Sequence, residues 1–117
     1  MILETQMPDK LHRGKVRDTY GLGGGDLFMV ATDRISAFDV VLPTGITDKG
    51  LVLNRISAFW FDKTKNIVPN HFICLGDAPE AVKYLEGSSI AGSVSEDVAR
   101  QSMVVKWAER LDLECIV

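Results

Sequence analysis

Three consecutive glycines, Gly23 to Gly25, stand between an alternating run, LHRGKVRDTYGL, and an apolar one, LFMVATD. Glycine takes positive φ without steric cost, so a triple glycine between two strand-like runs predicts a tight reversal and a β-hairpin. Taken as one strand, the first run puts Arg13, Lys15 and Arg17 on one face and Gly14, Val16 and Asp18 on the other. Three neighbouring cations repel one another, and two readings account for them. One is a solvated edge strand that uses Lys and Arg to discourage aggregation. The other is a strand-turn-strand flap over polyphosphate, in which Gly14 lets the backbone approach and the cations meet anionic oxygens. A Walker A loop is excluded, because GxxxxGK[ST] does not occur and these glycines join two strands. GLGGGD also lacks the last glycine of the kinase GxGxxG pattern.

Beyond the hairpin the period changes several times. ISAFDVVLPTGI is β-branched and aromatic but broken by Pro43 and Gly45, which predicts a loop and a short strand. From Leu51 the residues Val52, Ile56, Phe59 and Trp60 form the apolar stripe of an amphipathic helix, read as a core face against a sheet, with Pro69 as its limit. NHFICLG reads as a strand and APEAVKYLEG as a short helix with Pro79 near its start and Gly87 at its stop. SSIAGSVSEDVARQS is small and polar and is expected to be a mobile excursion, with Ser95 as N-cap of one turn over EDVAR. MVVKWAERLDLECIV reads as two strands about a reversal near Glu109 to Asp112. The pattern is α+β: a mostly antiparallel β-sheet with flanking helices, in one domain over 1–117.

A net charge of −3 and a pI near 5.3 argue against nucleic-acid binding by bulk charge. Any anion site must be a local gathering of the thirteen Lys and Arg residues. No apolar segment reaches the ~18 residues of a membrane span. Cys74 and Cys115 form no CxxC pair, no His stands at metal-ligand spacing, and MILETQMPDK lacks a signal-peptide core, so a reduced, cytoplasmic protein is expected, with both cysteines as core residues and no metal site. The run LECIV stops with no turn or cap, which suggests a piece of a longer chain.

A second constellation is ATDRISAFD, with Asp33, Arg34, Ser36 and Asp39 directly after a strand. Loops in this position commonly carry sites, although Asp33 and Arg34 can equally form a turn and pair with other charges. Two nearby carboxylates can take a proton from an amine, orient an ammonium group or help hold a metal, and all three remain open. His12 and His71 have no spaced partner and are read as structural.

GKVRDTY, ATDRISAFDVVLPTGITDKG, the run from LNRISAFWF to IVPNHF, and SMVVKWAERLDLECIV resemble, in order and spacing, the N-terminal part of the SAICAR synthetase (phosphoribosylaminoimidazole-succinocarboxamide synthase) family. Only the region around 80–96 looks like a variable insertion. The resemblance implies the N-terminal nucleotide-binding lobe of an ATP-grasp-related fold, in an enzyme about twice this length or more. It implies an ATP-dependent ligase of purine biosynthesis whose small-molecule substrates are ATP, L-aspartate and carboxyaminoimidazole ribonucleotide (CAIR). Mg²⁺ would be held by acidic ligands in the remaining C-terminal part, and the piece alone would be inactive. Carried over by position, Gly14, Lys15, Val16 and Arg17 form the phosphate flap, Lys106 lies in the strand beneath the nucleotide, and Ala108, Glu109 and Leu111 belong to the segment that meets adenine through its main chain. Arg34, Ser36 and Lys49 would bind substrate, Asp33 or Asp39 would receive the amine proton, Gly50 belongs to the same matched block as Lys49, and Glu114 would pair with a basic group. A kinase-like phosphotransferase and a non-enzymatic nucleotide-binding or interaction module are the alternatives. Neither nucleic acid nor membrane is expected as a partner, and the oligomeric state is left open.

Overall fold

Alternating apolar residues dominate the architecture. In the computed structural model, which describes all of Met1–Val117, a five-stranded antiparallel sheet is built from β1 (Lys10–Arg13), β2 (Arg17–Gly21), β3 (Asp26–Ala31), β6 (Phe72–Leu75) and β7 (Ser102–Lys106), in the order β1-β2-β3-β7-β6. A separate two-stranded hairpin, β4 (Ser36–Ala37) and β5 (Val40–Val41), follows β3. Three helices complete the chain: α1 (Lys49–Thr64), α2 (Ala81–Leu85) and α3 (Glu96–Arg100). None is long and apolar enough to cross a membrane.

The triple glycine turns β2 into β3 as expected, with Gly23, Gly24 and Gly25 all at positive φ. The run before it differs from expectation. LHRGKVRDTYGL is two strands, not one, because the chain reverses at Gly14–Val16 and pairs Arg13 with Asp18. Gly14 N–H donates to the Arg17 carbonyl at 2.7 Å and closes this turn. Arg13, Lys15 and Arg17 therefore do not line one strand face; they sit before, on and after a tight turn at the sheet's edge. Alternation was too short on either side of Gly14 to distinguish one strand from two.

On one face of the sheet, alternate residues of β2, β3, β6 and β7 enter the core. Tyr20, Phe28, Val30, Cys74 and Val104 share one face and are buried, closed over by Leu22, Ala81 and Ile90. Each such fully buried large side chain contributes about 1.5–3 kcal/mol relative to its exposed state. Ile90 has no exposed surface, so the segment expected to be a mobile excursion is anchored near its start. At its middle Ser95 caps α3, its Oγ accepting from Val98 N–H at 3.2 Å, while Glu96 and Asp97 in the first turn and Arg100 in the last complement the helix dipole. Ser95→Ala is expected to cost about 1 kcal/mol in urea unfolding.

Helix α1 lies on the other sheet face, but not by the stripe that the sequence suggests. Gly50, Asn54 and Ala58 are its buried residues, whereas Val52, Ile56, Phe59 (53% exposed) and Trp60 (57%) point outward. Gly50 decides the matter. It sits so close to β3 that a Cβ there would collide with the Ala31 carbonyl oxygen and with Gln101 Nε2. Asn54 adds a bond from its Nδ2 to the Ser102 carbonyl at 2.9 Å, tying the helix to β7. Small and polar residues thus make the contact, and the larger apolar ones form an exposed strip.

The C-terminal reading also changes. β7 forms, but Trp107 to Val117 follows it without a second strand and almost wholly exposed, because no neighbouring strand edge receives it. Cys74 is a core residue as expected, while Cys115 is exposed; both are free.

Candidate functional site

The turn Gly14–Val16 presents its backbone in an unusual state. Its three successive carbonyls are all captured from residues 32–34: Gly14 O accepts from Arg34 Nη2 at 2.9 Å, Lys15 O from Arg34 Nε at 3.1 Å, and Val16 O from Thr32 N–H at 3.0 Å and Thr32 Oγ at 2.8 Å. The N–H groups of Lys15 and Val16 have no partner within the protein. A turn with its carbonyls drawn inward and adjacent N–H groups unpaired is suited to an anion. Lys15, on the turn, and Arg17, at its foot, supply positive charge there.

Beneath the turn lies a buried ion pair. Arg34 Nη2 donates to Asp18 Oδ1 at 2.8 Å, with side chains 3% and 0% exposed. Asp18 also accepts from Thr5 N–H at 3.1 Å and Thr5 Oγ at 2.7 Å, and Thr5 Oγ meets the Tyr20 hydroxyl at 2.6 Å. Burial alone would raise the Asp18 pKa, but the bonds from Arg34 and Thr5 outweigh it and hold it below the ordinary carboxylate value. Asp18, Thr5 and Thr32 were not singled out from the sequence. A signal for Asp18 existed, since it shares a strand face with Tyr20 and a carboxylate there needs a buried partner.

The ATDRISAFD residues divide between interior and surface. Asp33 is buried, with Oδ1 accepting from Gly50 N–H at 2.9 Å and Gln101 Nε2 at 3.3 Å, and Oδ2 from Ile2 N–H at 2.8 Å. It thereby takes the place of a cap on α1, whose own N-cap residue, Asp48, makes no side-chain bond. Asp39 lies instead on the tip of the β4–β5 hairpin, where Phe38 and Asp39 both adopt positive φ, and its exposed carboxylate pairs with Lys15 Nζ. This contact raises the Lys15 pKa and lowers that of Asp39, and the charge of Glu114 adds to the effect on Lys15. Ser36 is half-buried in β4.

Lys49 opens α1, and its pKa is lowered first by burial and then by the charges of Arg17 and Arg34, against the pull of Asp33. Arg17 also acts on His71, whose pKa is lowered by burial and by that guanidinium. Arg17, Met29, Asn54, Ser57, Phe61 and His71 are among the residues around a cleft of about 190 Å³ between α1 and the sheet. Arg17 thus lies between Lys49 and His71 in its influence and lowers the pKa of both.

Lys106 is not brought to that cleft. It ends β7 opposite Asp26, and alternation puts it on the face of Val104 rather than that of Met103. Ala108, Glu109 and Leu111 are exposed in the extended segment beyond β7, and Glu114 is exposed with no ion-pair partner within contact distance. No three His, Cys, Asp or Glu side chains gather in a way that could hold a metal ion.

The structure is an antiparallel α+β lobe with a cation-bearing turn at the edge of its sheet. The chain belongs to the SAICAR synthetase family, whose profile matches residues 10–117. It is 48% identical to a phosphoribosylaminoimidazole-succinocarboxamide synthase of Geobacter metallireducens over 122 residues, covering 100% of this chain and 38% of that one. Against the enzyme of the same name from Geotalea uraniireducens it is 50% identical over 125 residues, with the same two shares, 100% and 38%. A solved structure described as SAICAR-synthase from Saccharomyces cerevisiae complexed with SAICAR superposes with a TM-score of 0.70 at 34% identity, over 91% of this chain and 36% of that one. The chain spans little more than a third of the length of these relatives.

Proposed function

We propose that the chain is the N-terminal nucleotide-binding lobe of a longer ATP-dependent ligase of purine biosynthesis. The enzyme joins the amine of L-aspartate to the carboxylate of CAIR and yields SAICAR, ADP and phosphate. Family membership supports the reaction class, and the observation that supports this lobe's part in it is the Gly14–Val16 turn, with hydrogen-bonded carbonyls, unpaired N–H groups and flanking cations.

A carboxylate is a poor electrophile. Transfer of the γ-phosphoryl group of ATP to a CAIR carboxylate oxygen releases ADP and makes an acyl phosphate, and the neutral aspartate amine then attacks the acyl carbon and displaces phosphate. Positioning and charge neutralisation are the protein's tasks in both steps. In this reading the N–H groups of Lys15 and Val16 meet phosphate oxygens, Lys15 and Arg17 neutralise them, and Lys49 lies close enough to serve a second anion. Mg²⁺ would supply further neutralisation, with ligands from outside this chain.

The Lys15–Asp39 pair gives the carboxylates separate parts. When Lys15 turns to the phosphates, Asp39 loses the partner that depresses its pKa. Its carboxylate returns towards the ordinary range and becomes the better placed of the two to receive the amine proton, since both Asp33 oxygens are occupied by N–H donors. Ser36 stands at the start of the same hairpin, within reach of a substrate held there.

The test is Lys15→Ala in the full-length product of the gene. Loss of one charge-assisted contact to phosphate is expected to raise the KM for ATP by about tenfold or more. An unchanged KM for ATP would remove the flap from the mechanism.

A further inference from the structure

We infer that Arg34 is a positioning residue for the nucleotide: it fixes the peptide planes of the Gly14–Val16 turn so that the turn offers N–H groups to phosphate, and it does not itself touch substrate. The inference rests on the flap reading above and adds to it the device that shapes the flap.

A guanidinium carries five N–H donors. In Arg34 each has an acceptor: Nε bonds Lys15 O at 3.1 Å, Nη1 bonds Leu3 O at 2.8 Å and approaches Asp18 Oδ2 at 3.5 Å, and Nη2 bonds Gly14 O at 2.9 Å and Asp18 Oδ1 at 2.8 Å. The side chain is 3% exposed, so no donor and no face remain for a ligand. What it does hold is the backbone of the flap.

The turn needs that hold. One internal backbone bond, Gly14 N–H to Arg17 O, closes it, and Gly14 leaves its peptide planes free to rotate. A flip of the Gly14 or Lys15 peptide would carry a carbonyl oxygen to the position of an N–H and set a partial negative charge against phosphate. Arg34 opposes both flips by capturing both carbonyls, and Thr32 secures the next one through its N–H and Oγ. Asp18 offsets the buried guanidinium's charge and keeps it correctly turned. An ammonium group cannot replace this fork, because it has three donors and no fixed plane.

The experiment is steady-state kinetics of the full-length enzyme with Arg34→Lys, together with Thr32→Val and Lys15→Ala. Arg34→Lys is expected to raise the KM for ATP about tenfold, with kcat changed less than about twofold and the KM for aspartate and for CAIR unmoved. Thr32→Val removes the Oγ bond to Val16 O and the longer one that Oγ accepts from Arg34 N–H at 3.3 Å, and is expected to raise the KM for ATP about threefold, which keeps the test decisive should Arg34→Lys fail to fold. A lower melting temperature with every KM unchanged would reduce Arg34 and Thr32 to structural residues and overturn the inference. A rise in the KM for aspartate or CAIR instead would mean direct substrate contact, and would overturn it too. If Lys15→Ala leaves the KM for ATP unchanged, the flap reading falls and takes this inference with it. A response to Lys15→Ala without one to Arg34→Lys or Thr32→Val sinks the positioning role alone.

Discussion

Asp18→Ala is expected to destabilise the protein by about 3–5 kcal/mol, the cost of leaving a buried charge without its partner. The Arg34 guanidinium would keep its bonds to the carbonyls of Leu3, Gly14 and Lys15, but dipoles do not neutralise a full charge in a site that excludes water. The exposed pair Arg13–Glu4, at a similar 2.9 Å, is worth under about 1 kcal/mol, so separation is not what distinguishes the two. Urea unfolding at neutral pH measures the difference. Its pH dependence supplies a second check. The folded pKa of Asp18 lies below the unfolded value of about 4, so its contribution is present above that pH and disappears as pH falls through the folded value. The gap between the parent and Asp18→Ala should therefore narrow below about pH 4, and a gap that widens in acid would contradict the assignment.

Gly50→Val should cost about 3 kcal/mol or more, because a side chain has nowhere to go. Its Cβ would lie within 2.8 Å of the Ala31 carbonyl carbon, against β3 backbone that cannot yield without breaking the sheet. Moving α1 outward instead would stretch the Asp33–Gly50 bond of 2.9 Å and the Asn54–Ser102 bond of 2.9 Å. Either response loosens the helix that walls the cleft and carries Lys49. Thermal unfolding together with the KM for ATP would register both consequences, and a fully stable Gly50→Val would show that α1 does not depend on this close approach.

How far the sequence carries depends on whether the relevant contacts are local. The β2–β3 hairpin is legible because three glycines and two strand patterns adjoin, and Ser95 is legible as a cap because capping spans only a few residues. The face of α1 is not, since its apolar stripe is genuine but the contact is decided by Gly50 meeting Ala31, a neighbour distant in the chain. The turn at Gly14 is hidden for another reason: cations on alternate positions look alike in one strand and around a reversal. The candidate site shows the same division. Lys15 and Arg17 stand out by their glycine and charge context, whereas Thr32 and Asp18 acquire meaning only when residues 32–34 pack beneath the turn. Asp33 is visible as a charged loop residue, but its bonds to Ile2, Gly50 and Gln101 depend on three separate parts of the chain.

Flap, clamp and cleft lead to one claim, that this lobe presents ATP to a carboxylate which is then captured by an amine. The most direct measurement is ADP release by the full-length product of the gene with ATP and Mg²⁺, leaving out aspartate or CAIR in turn. The account predicts rapid ADP release only when both are present. ADP formed at an undiminished rate with either one omitted would contradict it.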